Sequence, residues 1–579
     1  MNRRNLLKSI AALGIGSLAF QRSLAAQAAE QQQITPEMIA QAQWVAGIEL
    51  TDEERKTMLR NLRGNLVNAN RLREVEVDYN VPPCLHFQPS LPRSADASDR
   101  RDDGATAGEV VNDRFAGRNR IRIDDAGSTI KRPASDEALA FLSVGQLSHL
   151  IRSSQVTSQE LTRLYLKRLR RYDPMLNCVV TLTEELAMRQ ASKADKEIGE
   201  GNYRGPLHGI PWGAKDLIAV PGYPTTWGAT PYADQQFQHT ATIAQRLEDA
   251  GAVLVAKLSM GALAMGDQWM EKRTRNPWDP RRGSSGSSAG SASAVSAGLV
   301  GFAIGTETLG SILTPSRICG TSSLRPTFGR VPRFGLMPLA WSFDKAGPMC
   351  RDIEDCALVL DAIHGSDGRD PTAVDRPFAW PPRSPLDQLR VGYIESPSRL
   401  TDDQRRQLQD FGVTLVPITL PDDIPVYPLL LMLEAEASTM FQGFARQHVT
   451  EGLNTWPDTF RAGQFITAVD YLNATRVRTL LIQRMDELFS RVDVMVNSGD
   501  IVHTNLTGHP SVTMPSGFTR RGGARLPRSI TMTGRLYDEA RLLALASAWQ
   551  QKTGHHLQHP SLEMPGTEEP SELNEEKQP

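Results

Sequence analysis

The chain has 579 residues, 40% of them hydrophobic and 22% charged, with a formal net charge of −2. That balance suits a soluble globular enzyme with a large core, and a charge near zero without a basic stretch excludes DNA or RNA as the partner. Five cysteines, Cys84, Cys178, Cys319, Cys350 and Cys356, are scattered, odd in number and without C-x-x-C spacing. Neither a zinc site nor a disulfide framework is implied, no metal or cofactor is called for, and Cys319 and Cys356 are expected to pack in the core.

In chain order, residues 1–28 come first, reading MNRRNLLKSIAALGIGSLAFQRSLAAQA. Arg3 and Arg4 precede an apolar stretch from Ser9 to Phe20 and small-residue cleavage options that end near Ala28. About a dozen apolar residues are too few to span a bilayer, so this reads as a removable export signal, leaving no stable membrane span. RRNLLK resembles the twin-arginine export motif, which implies a periplasmic or secreted protein.

Residues 29–92 are expected to form a small helical extension, because Thr51-Asp52-Glu53-Glu54 is an acidic helix start before LRNLRGNL. Residues 93–136, rich in Arg, Asp, Gly, Ser and Ala, read as a disordered linker. From residue 137 the helical patterns LSVGQLSHLIRS and SQELTRLYLKRLRRY open the catalytic domain, which is expected to run to residue 560. Helical stretches alternate there with strand-like AGAVLVAKL and LRVGYI, which predicts an α/β fold with a sheet flanked by helices. The acidic residues 561–579 are expected to be a disordered tail.

Two segments of this domain carry chemistry. In LHGIPWGAKDLIAVPG, Lys215 is embedded in apolar residues, where a lysine either snorkels to water or becomes a desolvated amine able to act as a base. Between Arg281 and Gly320 the chain reads RRGSSGSSAGSASAVSAGLVGFAIGTETLGSILTPSRICG. Gly/Ser turns at Ser287-Ser288 and Gly310-Ser311 can point N–H groups at an anion or oxyanion. Ala292 to Ile304, mostly small or apolar, is expected to be a buried helix running into a buried strand. A serine hydroxyl is weak at neutral pH and needs a base, and Lys215 is the candidate.

These residues resemble the amidase signature family, whose members use a Ser, cis-Ser, Lys triad to hydrolyse amides. The family patterns GGSSGGS and GTDTGGSIR.P..FCG are similar to Ser285–Ser291 and Gly305–Gly320, and further likeness extends over roughly residues 137–560. In the family the bridging serine stands 24 positions before the nucleophile; counting back from Ser311 gives Ser287 and leaves Ser284 outside. The resemblance therefore implies Ser311 as nucleophile, Ser287 as cis-peptide bridging serine and Lys215 as base. It also implies oxyanion and substrate contacts at Thr308, Leu309, Gly310 and Ser288, and a mixed central β-sheet covered by helices on both faces. The segment between Glu395 and Asp470, weak in family motifs, is expected to line the substrate entrance.

Four positions depart from the pattern: Leu309 stands for the first glycine of GGS, Leu313 for the arginine of SIR, Glu307 for an aspartate and Ala289 for a glycine. Leu309 would be strained if it needed positive φ, and Arg317 is the candidate to replace the lost cation. Gly286 to Gly290 also fits G-x-S-x-G, but the nucleophile elbow requires a strand immediately before the serine. The two prolines and several arginines of Arg273–Arg282 do not suit a central strand. The implied function is an exported amidase that cleaves the carboxamide C–N bond of a small-molecule amide through a Ser311 acyl-enzyme. The alternatives are a glutaminase A subunit of a tRNA-dependent amidotransferase, or an amidase-fold binding protein silenced by Leu309. Oligomeric state is not legible.

Overall fold

A computed structural model describes residues 34–78, 81–85, 130–396 and 398–562. The export-signal reading of residues 1–28, most of the 93–136 linker and all but the first two residues of the 561–579 tail lie outside the described residues. The described residues fall into two compact units, one built from those before 86 with 338–342 and 421–485, the other from those between 130 and 337 with 343–420 and those from 486 onward.

The smaller unit is helical. Its first helices are Pro36–Ala42, Asp52–Thr57 and Leu59–Arg73. The acidic start at Thr51 is a capping box: Thr51 Oγ1 accepts from the Glu54 N–H, and the Glu54 carboxylate accepts from the Thr51 N–H. Leu59–Arg73 packs against Leu431–Met440 and Trp456–Gly463, where Phe460 contacts Phe441 and Trp456. Arg73 pairs with Asp470, and buried Arg461 with Glu54. The helical extension expected at residues 29–92 thus shares its core with residues 421–485, a grouping that local periodicity does not encode.

The larger unit holds an eleven-stranded mixed sheet. In chain order its strands are β1 Val179–Leu182, β2 Pro211–Lys215, β3 Val253–Leu258, β4 Phe302–Glu307, β5 Ser322–Arg325, β6 Lys345–Cys350, β7 Arg390–Tyr393, β8 Thr414–Pro417, β9 Val494–Val496, β10 Ser511–Arg521 and β11 Ala524–Gly534. Their spatial order is β1-β3-β2-β4-β6-β5-β10-β11-β9-β7-β8. AGAVLVAKL and LRVGYI form β3 and β7, as their patterns predict. Every residue of β2, β3 and β6 is buried, and since neighbouring side chains point to opposite faces, both faces of the sheet are covered there.

β2 runs parallel to both β3 and β4, with Trp212 opposite Phe302 and Ala214 opposite Ile304. Lys215 is the last residue of β2, and Glu307 the last of β4. The two segments singled out in the sequence therefore meet at the carboxyl ends of adjacent parallel strands, where open α/β sheets place their ligands.

The Gly/Ser run folds as its composition predicts. Ala289–Ser296 is a wholly buried helix that leads into β4. Its small side chains let the helix lie against neighbouring backbone: a Cβ on Gly290 would sit 2.5 Å from both the Cys178 carbonyl oxygen and the Ser259 nitrogen. Gly290→Ala is therefore expected to destabilise by roughly 1–3 kcal/mol through overpacking, checked by the fall in thermal midpoint relative to the wild type.

Candidate active site

Lys215 is fully buried, Ser287 is 1% exposed and Ser311 8% exposed. Of the three, Ser311 is the side chain most open to a substrate. Lys215 Nζ lies 2.8 Å from Ser287 Oγ, 3.1 Å from Ser288 Oγ, 2.8 Å from Thr306 Oγ1 and 3.3 Å from the Thr306 carbonyl oxygen. All four neighbours are neutral, so among the described residues no carboxylate bonds the amine to hold a proton on it. Burial brings its pKa down to about 7 against the opposing pull of the Asp344 and Glu307 charges.

The hydrogen bonds distinguish the two adjacent serines. Ser288 Oγ donates to the Thr306 carbonyl (3.1 Å) and accepts from the Thr306 N–H (3.1 Å). Its one proton is thereby engaged, so towards Lys215 it acts as an acceptor. Of the two serines, Ser287 is the one left to donate to a neutral lysine. The sequence groups Ser288 with the substrate contacts; the structure shows it locking the loop to β4. Its backbone N–H also donates to the Ser311 carbonyl (3.1 Å), which joins the two serine turns.

The Gly286–Ser287 peptide bond is cis. A Cβ on Gly286 would lie 1.8 Å from the Gly266 carbonyl oxygen, so glycine is required there. The Ser284 hydroxyl donates instead to the Ser285 carbonyl at 2.8 Å.

The Thr308–Ser311 turn settles the question raised by Leu309. Gly310 takes the positive φ, 86°, whereas Leu309 does not adopt positive φ. The position that needs glycine still has one, so Leu309 adds bulk without backbone strain. Arg317 does not replace the missing cation by proximity: Leu313 is buried, while Arg317 is exposed near the end of the Leu313–Cys319 helix. The elbow reading also finds no support, because among the described residues Asp279–Gly283 pairs only with Arg275–Asn276 in a two-stranded ribbon outside the main sheet.

Glu307, which the sequence marks only as a departure, organises this turn. One carboxylate oxygen accepts from the backbone N–H groups of Ile312 (2.9 Å) and Leu313 (3.0 Å). The other accepts from Arg325 and from the Asn505 amide, each at 2.8 Å. Burial alone would raise its pKa, but Arg325 and Lys345 outweigh that and hold it at about 2. Its contribution to stability is present above the ordinary carboxylate value of 4.5 and is lost as pH falls towards 2.

Beside the site, Lys257 and Asp216 form a fully buried pair at 2.7 Å; Lys257 also donates to Thr225 Oγ1, and Asp216 accepts from the Thr226 N–H. Cys178, Cys319, Cys350 and Cys356 are buried free thiols.

The site thus joins a buried lysine and paired serines near the carboxyl ends of parallel strands. The model of the Amidase family matches residues 160–498, and the chain belongs to that family, the amidase signature enzymes, which hydrolyse carbon–nitrogen bonds. It is 33% identical over 486 residues to the A subunit of glutamyl-tRNA(Gln) amidotransferase from Chloroflexus aurantiacus, a match covering 73% of this chain and 99% of that one. Among solved structures it is similar to the native peptide amidase from Stenotrophomonas maltophilia, with 27% identity, a TM-score of 0.64, and coverage of 73% of this chain and 99% of the other. An amidase family protein from Bacillus anthracis, 24% identical with a TM-score of 0.66, covering 74% of this chain and 94% of its own, shares the fold.

Glu307→Gln would leave the Arg325 guanidinium buried without its counter-charge, and a side-chain amide would accept less well from two backbone N–H groups. The expected cost is roughly 3–5 kcal/mol, measured as a lowered denaturation midpoint at pH 7, with the difference from wild type shrinking as the pH approaches 2 to 3.

Proposed function

We propose that this amidase hydrolyses a carboxamide to an acid and ammonia or an amine through an acyl-enzyme on Ser311. The observation that carries the reading is the buried Lys215 amine, whose hydrogen-bond partners are neutral and include the Ser287 hydroxyl at 2.8 Å, the one of the two adjacent serines whose proton is not engaged by Thr306. Neutral Lys215 takes a proton from Ser287, which takes one from Ser311 as its Oγ attacks the carbonyl carbon. The backbone N–H groups of Thr308, Leu309, Gly310 and Ser311 are the proposed holders of the tetrahedral oxyanion. In the reverse direction the relay protonates the departing nitrogen, since an amide anion is a very poor leaving group. Water then attacks the acyl carbon and releases the acid.

Ammonia release from a panel of aryl, aliphatic and peptide C-terminal amides tests this reading. Ser311→Ala is expected to reduce turnover by roughly 10⁴-fold or more, and Lys215→Ala by roughly 10²–10⁴-fold. Because the base works unprotonated, kcat/KM rises with pH through the Lys215 value of about 7. Equal turnover by wild type and Ser311→Ala overturns the mechanism.

A second reading, a glutaminase component of a larger complex, is favoured by the amidotransferase relatives, which the match covers almost end to end. It predicts ammonia release from glutamine only in the presence of partner proteins, whereas the first reading predicts turnover by the chain alone. The absence of positive φ at Leu309 speaks against a silenced binding protein.

We further propose that the protein is exported by way of Arg3 and Arg4. Replacing both with Lys is expected to retain an active precursor in the cytoplasm, seen by fractionation and immunoblot. Unchanged processing and export of the double variant contradicts the twin-arginine route.

A further inference from the structure

The turn that holds Ser311 is gripped at both ends. Downstream, Glu307 accepts from the amides of Ile312 and Leu313. Upstream, the Thr308 hydroxyl donates to Asp344 Oδ1 at 2.6 Å, and both residues are buried. A hydroxyl bonded to a carboxylate at this distance belongs to the short, charge-assisted class. Asp344 immediately precedes β6, which pairs antiparallel with β4 and sets Lys345 opposite Glu307. Its location is therefore fixed by the sheet, and the three residues Leu309, Gly310 and Ser311 hang between two anchored points.

We propose that Asp344 is a positioning residue of the amidase reaction: through Thr308 it fixes the Thr308–Ser311 turn against the reacting carbonyl, and its negative charge acts on the Lys215 amine. The inference rests on the reading of Lys215 as the base. Of the carboxylates that favour the Lys215 ammonium against burial, Asp344 has the larger effect and Glu307 the smaller. Glu307 is itself offset by Arg325 and Lys345. On the other side of Asp344, Arg333 donates to its carbonyl oxygen at 3.3 Å and is paired with Asp370. The carboxylate thus has two tasks, one through a hydrogen bond and one through charge.

Two variants separate them. Asp344→Asn keeps an acceptor oxygen for Thr308 and removes the charge; Thr308→Val keeps the charge and removes the hydroxyl. Without the negative charge the ammonium is less favoured, so the Lys215 pKa falls, and the acidic limb of kcat/KM in Asp344→Asn moves to lower pH by roughly one unit. Thr308→Val leaves that limb in place and lowers kcat by up to roughly 10²-fold, with KM changed less, because the turn is misplaced. An unmoved limb in Asp344→Asn, or wild-type kcat in Thr308→Val, overturns the proposal. If Asp344→Asn does not fold, Thr308→Val still decides the hydrogen-bonding part. A Lys215→Ala enzyme that keeps the same acidic limb contradicts instead the assignment of Lys215 as the base, so the two failures are distinguishable.

Discussion

The site depends on an amine that has been taken out of water. A lysine on the surface is protonated at neutral pH and useless as a base; Lys215 is fully buried and surrounded by hydroxyls and a carbonyl. That environment requires the amine to sit at the last position of a strand buried along its whole length, which β2 provides. It also requires partners that bond without adding charge, which Ser287, Ser288 and Thr306 provide. The carboxylates that act on it, Asp344 and Glu307, are engaged elsewhere, by Thr308 and by Arg325 respectively. Burial therefore prevails and the pKa settles near neutrality.

The surrounding backbone follows from the same demand for close approach. Three segments, the end of β2, the Gly286–Ser288 loop and the turn after β4, converge on one small volume. Side chains at Gly286 or Gly290 would collide with backbone of neighbouring segments, at Gly266 and at Cys178 and Ser259. The glycine and serine content of the run is thus a packing requirement, because only residues this small let three backbones meet around one amine. The Ser288 N–H to Ser311 carbonyl bond then ties the loop to the turn, so the two serines do not move independently.

How much of this is legible depends on sequence separation. Lys215, Ser287 and Ser311 stand out because each lies in a short segment that resembles the amidase signature, and the 24-residue interval of that family selects Ser287 over Ser284. The buried helix and strand after Ser288, and the strands at 253–258 and 390–393, are readable from local pattern. Glu307 looks like a minor departure, since its value comes from Arg325 and Asn505, one of them nearly 200 positions away. Asp344 carries no signal for the same reason: its partner Thr308 lies on another segment. The concern over Leu309 cannot be resolved from residue types, because which member of the turn carries positive φ is a property of the folded backbone. The packing of the first helices with residues 421–485 is equally invisible to periodicity, which reports the apolar face of a helix but not what covers it.

The central claim is that Lys215 is a neutral amine near physiological pH, and it is tested most directly by titrating that side chain. In protein labelled with ¹³C-lysine, the Lys215 Cε signal is assigned by its loss in Lys215→Met and followed by NMR from pH 5 to 11. The account predicts a single titration near pH 7, well below the ordinary lysine value of about 10.4. A Lys215 signal that titrates near the ordinary lysine value of about 10.4 would contradict it.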